Sequence, residues 1–274
     1  MKKKIVIIAS VIVSVLLVSN IITYAYSNET IFDFFFANSS NEQKEIVKDY
    51  LMKDGQKITI DNYVICLEES LCEKNTGLGY LFFVISDNEG QKVDADIDNY
   101  NNSLKSFGAD KRFIFEYEAT GTCNKYAEYK GKELYVYISF EITSEELSAL
   151  DISKCLKLTD TKEIIDNEYK QYNFNLAFTD NCRTFKNSNG VLYISPLGLR
   201  FVTEKTMDDL IITLKDKNNQ VISEYNNSEN MLSESNRRDG DITEVQYTIQ
   251  FENLLDIKNL GYIYINDVEL DEAK

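Results

Sequence analysis

The chain has 274 residues, 29 basic against 45 acidic side chains, a formal net charge of −16, and neither His nor Trp. That charge disfavours nucleic acid and anionic lipid, whose recognition begins with Lys and Arg neutralising negative charge. The missing His excludes Ser-His-Asp and Cys-His catalysis, His-ligated zinc and the usual general base near neutral pH.

Met1 and three lysines precede a run from Ile5 to Tyr26 that carries no charge. A helix needs roughly 20 apolar residues to span a bilayer core. The basic flank therefore predicts a cytoplasmic stub of residues 1–4, a transmembrane anchor at 5–26 and a C-terminal body outside the cytoplasm. Thr23 and Ala25 also form a small-residue cleavage site before Tyr26, so a signal peptide and a secreted body are the alternative; the apolar length favours an anchor. No Cys lies near this boundary, which argues against a lipoprotein.

Residues 27–55 read as a stalk and one short amphipathic helix lying against the first domain. Ile46, Val47, Tyr50 and Leu51 recur at helical spacing, Ser40 with Gln43 fits a capping box, and Gly55 reads as the helix stop. After it the period becomes two. Ile58–Leu67 and Tyr80–Ser86 read as strands, the second apolar on both faces and so central in its sheet. Phe113, Phe115 and Tyr117 share one face of a third strand, and Leu134, Val136, Ile138, Phe140 and Ile142 one face of a fourth. A helical stretch, Ser144–Leu150, marks the expected domain boundary.

Beyond it strands resume at Tyr172–Leu176, Val191–Ile194, Leu199–Thr203, Leu210–Leu214, Val245–Phe251 and Tyr262–Ile265. The polar stretch from Tyr225 to Asp241 lacks apolar periodicity and reads as a long surface loop. Strands separated by turns, without long intervening helices, predict a mainly β fold: two immunoglobulin-like antiparallel β-sandwich domains, residues 56–150 and 151–274.

No catalytic or cofactor-binding set emerges: no S-x-x-K, no Gly-rich phosphate loop, and carboxylates without a constellation. The best metal candidate is Asp94, Asp96 and Asp98, whose alternating carboxylates suit Ca²⁺. It departs from an EF-hand, with Asn99 at the sixth position and Lys105 at the twelfth. Cys66, Cys72, Cys123, Cys155 and Cys182 form no C-x-x-C pair and are read mostly as structural thiols, with no pairing assigned.

Several stretches resemble extracytoplasmic β-sandwich domains of uncharacterised membrane proteins from clostridia and bacilli, a group that includes the outer parts of anti-sigma-factor-like proteins. They are Asp61–Ser70, Gly79–Phe83, Ile194–Leu199 and Gly261–Asn266. The resemblance implies an outer fold alone, since residues 1–4 offer nothing to grip a sigma factor. The expectation is a non-enzymatic binding or interaction module at the cell envelope, with the membrane and an envelope protein as partners and no nucleic acid. The alternatives are a sensory ectodomain acting with a separate membrane partner, and an exported carbohydrate-active enzyme or adhesin.

Overall fold

A computed structural model describes residues 30–273 apart from 36–40, 49, 118–121, 143–155, 166, 208, 227–232, 240–241 and 252–253. The expected anchor at 5–26, the helical stretch Ser144–Leu150 and Cys155 lie outside the described residues. Among the described residues no helix is long and apolar enough to cross a membrane.

Two compact units are present, residues 1–38 and 39–274. Within the first, helix α1 (Ile31–Phe35) is closed by a reciprocal cap. Thr30 Oγ1 accepts from the Asp33 amide at 3.0 Å, and Asp33 Oδ2 accepts from the Thr30 amide at 3.1 Å. Such a cap satisfies orphan N–H groups of the first turn.

The second unit begins with α2 (Asn41–Lys48), shorter than the expected helix. Gly55 does not end it. Strand β1 (Met52–Ile60) already contains Gly55, which takes φ 64° inside a register shift. Tyr50, expected on the first domain, packs against the second core.

The first sandwich continues with β2 (Tyr63–Cys72), β3 (Leu78–Asp87), β4 (Ala95–Ile97), β5 (Leu104–Phe107), β6 (Phe113–Tyr117), β7 (Cys123–Lys130), β8 (Glu133–Glu141), β9 (Leu156–Ile165) and β10 (Glu168–Asn173). Two five-stranded antiparallel sheets result, ordered β1-β2-β3-β8-β7 and β10-β9-β6-β5-β4. The expected single strand Ile58–Leu67 is a hairpin, because Asp61 adopts φ 51° and turns Ile60 back to pair with Tyr63. Strand β3 is central as expected, and its neighbours Phe82 and Phe83, on opposite faces, are both fully buried.

Leu81, Phe83 and Ile85 of one sheet pack with Phe107, Phe113, Phe115 and Leu158 of the other in one core. The rings of Phe83 and Phe115 lie 4.8 Å apart, a tilted arrangement that suits aromatic quadrupoles. Leu158 and Phe174 belong to this core, so the boundary expected at residue 150 falls too early. Strand β9 pairs with β6 through Phe113↔Asp160, which places residues 156–173 in the first sandwich. Alternation reveals that a strand exists, but not which strand it will pair with.

The second sandwich comprises β11 (Arg183–Asn187), β12 (Gly190–Ser195), β13 (Gly198–Thr203), β14 (Ile211–Asp216), β15 (Val221–Asn226), β16 (Ser233–Asp239), β17 (Ile242–Gln250), β18 (Leu260–Ile265), β19 (Val268–Glu269) and β20 (Asp271–Glu272). Its sheets run β16-β17-β13-β12-β11-β20 and β15-β14-β18-β19. Leu192, Phe201 and Tyr247 meet Ile212, Leu214 and Ile263 in the second core. The stretch expected to be a loop through Asp241 contains a strand. Ser233–Asp239 is an edge strand paired with β17, and an edge strand is held by backbone bonds without needing an apolar stripe.

Candidate functional site

The three acidic residues proposed for Ca²⁺ stand on and beside β4 and are not gathered on one point. Asp96 pairs with Lys111 at 2.6 Å and Asp98 with Lys105 at 3.4 Å. Hydrogen bonding from Lys111 holds the Asp96 carboxyl below its ordinary value, and the Tyr100 amide does the same for Asp98. Alternate residues of a strand step by about 6.6 Å, too far for three ligands of one ion at about 2.4 Å unless the chain curls around it. Asp94 instead contributes its backbone, accepting from the Gly108 amide at 2.7 Å.

The described thiols are free, and each is partly or fully enclosed. Burial pushes Cys66 up to about 12 and Cys123 up to about 11, and it raises Cys72 further. Thiols so far above neutrality remain protonated and weakly nucleophilic. Cys72 lies wholly inside the first core and Cys123 packs against it, both as small hydrophobes.

One acid and thiol group does converge, at the joint between the sandwiches. Among the described residues, Glu73, Asp180 and Cys182 bring their ligand-type atoms within 4.8 Å of one another. Glu73 is 3% exposed. Its Oε1 accepts from the Asn75 amide and its Oε2 from the Asn181 amide, each at 3.0 Å. Desolvation raises its carboxyl above the ordinary value against those bonds.

The Asn75 carboxamide stands among the three groups. Its Nδ2 donates to Asp180, lies 3.2 Å from Cys182 Sγ and 3.5 Å from Glu73 Oε1. The position a cation would take is thus filled by an amide donor, and the group works as a latch. Around it, Glu73 bridges Thr179, with Thr179 donating its amide to the Cys72 carbonyl at 2.8 Å and accepting from the Lys74 amide at 2.9 Å.

Further contacts complete the joint. Arg200, 2% exposed, donates through Nη2 to the Ile142 carbonyl, while its Nε has no partner among the described residues. Desolvation lowers its guanidinium to about 10. Gln250 donates to the Tyr80 hydroxyl at 2.7 Å, and Leu78, fully buried, abuts Gly198. A joint of buried side chains and backbone bonds resists hinge opening.

A polar cleft lies on the second sandwich, where the β11–β12 turn stands beside the end of β13. It is a half-open cleft of about 370 Å³. Val191, Val202 and Met207 supply apolar lining; Ser188, Asn189, Glu204, Lys205 and Glu244 supply polar groups. The turn is self-braced, Asn187 Oδ1 accepting from the Asn189 amide at 2.7 Å. Gly190 lets the strand approach β13, since a Cβ there would meet the Val202 carbonyl at 2.2 Å. The opposite wall is pinned by Tyr247, whose hydroxyl accepts from the Met207 amide at 2.8 Å.

None of these cleft residues stood out in the sequence. The Asn187-Ser188-Asn189-Gly190 run signals a tight turn, but Glu244 joins it only through the pairing of β13 with β17. No protein-family model matches the chain, and no curated protein matches it. A solved structure described as the crystal structure of the conserved domain protein from Bacillus anthracis is similar over 86% of this chain and 83% of its own, at 8% identity and a TM-score of 0.40. A likeness that distant leaves the functional reading to the geometry of the chain itself.

Proposed function

We propose that the chain is a non-enzymatic binding module of the cell envelope, tethered by its N-terminal apolar segment, with its two sandwiches immunoglobulin-like and outside the cytoplasm. The observation that carries this reading is the polar cleft of about 370 Å³ held on a braced turn and a sheet end. That volume falls within the range of ordinary ligand pockets, about 300–1,000 Å³. Rigid elements hold a recognition surface more precisely than mobile loops do. The latched joint supports the same reading, since it presents the cleft from a fixed body. The basic N-terminal flank supports the outward orientation.

The test is a photo-crosslinking amino acid placed at Ser188 in intact cells, with Glu128 on the first sandwich as the control position. A binding module yields one defined adduct from position 188 and not from 128. Identical adducts from both positions, or none from either, would overturn the proposal.

A further inference from the structure

The lining of the cleft narrows the chemistry of its occupant. Among the described lining residues there are two carboxylates, Glu204 and Glu244, and one ammonium, Lys205, a net charge of one negative unit. It sits on a chain of net charge −16, whose field concentrates cations and repels anions. Val191, Val202 and Met207 provide apolar surface beside those carboxylates. Among the described residues no aromatic ring lines the cleft, so none offers a sugar a stacking platform.

A ligand matching this lining has a positive head and an aliphatic stem. Lysine and arginine side chains have that form, burying their methylenes along apolar surface while the charged end seeks polar partners. Ser188 and Asn189 of the turn add side-chain hydrogen-bonding groups at the rim. Resting on the binding-module reading, we propose that the cleft takes a basic side chain of a cationic peptide. The stem lies over Val191, Val202 and Met207, and the charged end meets Glu204 and Glu244.

The peptide's neighbouring positive charges face an acidic surface, which speeds encounter and makes binding salt-dependent. Lys205 opposes the ligand instead of assisting it. This separates a cationic occupant from a zwitterionic one, for which Lys205 would hold the carboxylate.

The experiment titrates the full-length chain in detergent with acetyl-trilysine-amide, and with its fully Nε-acetylated counterpart, by calorimetry at low and physiological salt. The expected result is binding of the charged peptide alone, weakened at least tenfold by the pair Glu204→Gln and Glu244→Gln. The pair Glu89→Gln and Glu128→Gln removes the same charge from the first sandwich and is expected to change affinity less than twofold. Lys205→Gln strengthens binding several-fold.

Equal binding of the acetylated peptide, equal losses from the two pairs, or weaker binding in Lys205→Gln each overturns the proposal. Absence of trilysine binding while position 188 still captures a defined adduct in cells refutes the cationic ligand and leaves the binding module standing. Absence of both refutes the two together.

Discussion

Leu78→Ala tests whether the two sandwiches behave as one body. Leu78 is fully buried yet belongs to neither core, and its Cδ1 would lie 2.4 Å from a Cβ built on Gly198 of the other sandwich. Truncation removes three carbons, worth about 2.4 kcal/mol of transfer energy at about 0.8 kcal/mol each. The backbone atoms flanking Gly198 lie in a paired strand and cannot close the space, so a cavity term raises the cost to about 3 kcal/mol. For a unit of this size that corresponds to a fall in Tm of roughly 6–12 °C. The chain has no Trp, so unfolding in urea is followed by circular dichroism and tyrosine fluorescence. The expected outcome is one transition for both probes, displaced to lower urea in the variant with an unchanged slope. A loss below about 1 kcal/mol, or two transitions of which neither moves, would refute the view of the joint as a structural element.

The converse change, Gly198→Ala, is expected to destabilise by at least about 2 kcal/mol in the same assay, because its Cβ meets the Ile249 carbonyl at 2.1 Å and backbone cannot yield as a side chain can. Asp160 and Glu73 give pH dependences of opposite sign. Burial works against the Asp160 charge, but its paired bonds from Arg112 at 2.7 and 2.5 Å prevail and hold its carboxyl below the ordinary value. Its contribution is therefore present above about pH 3.8 and lost as pH falls through the lower folded value, and Asp160→Asn costs about 2 kcal/mol at neutral pH. Glu73 is raised by burial, so stability is gained as pH falls through its folded value and the gain is complete below about 4.5; denaturation of Glu73→Gln across this range is expected to lack that gain. Cys66, Cys72, Cys123 and Cys182 should resist iodoacetamide at pH 8 in the folded chain and react fully in denaturant, as read by mass mapping; rapid native labelling of Cys66 would contradict its enclosure.

Much of the strand content was legible in the sequence. Leu134, Val136, Ile138 and Phe140 share a face in the pattern and all reach the first core. The apolar run at Tyr80–Ser86 marked a central strand, and β3 is one. These features follow from a side-chain period of two, which any half-buried strand imposes on its own residues. Where the signal was not periodic, the reading erred. Asp61 at positive φ splits an apparently continuous strand, and Ser233–Asp239 pairs through its backbone.

The sites were less legible than the strands. Alternation at Asp94, Asp96 and Asp98 suggested convergent ligands, but nearby lysines claim two of the three carboxylates. The residues that do converge come from distant points. Glu73 and Asn75 meet Asp180 and Cys182 because Thr179 runs beside the end of β2, and Glu244 meets the Asn187–Gly190 turn across β13.

The sequence by itself determined the acidic charge, the absence of histidine chemistry, the uncharged N-terminal run and the β-rich character, since each is a sum or a local period. Only the tertiary structure decided that β9 and β10 belong to the first sandwich, that a latch joins the two bodies, and that one cleft gathers Glu204, Lys205 and Glu244. Those features depend on which strands pair across long stretches of chain, and pairing is settled by the joint packing of whole cores.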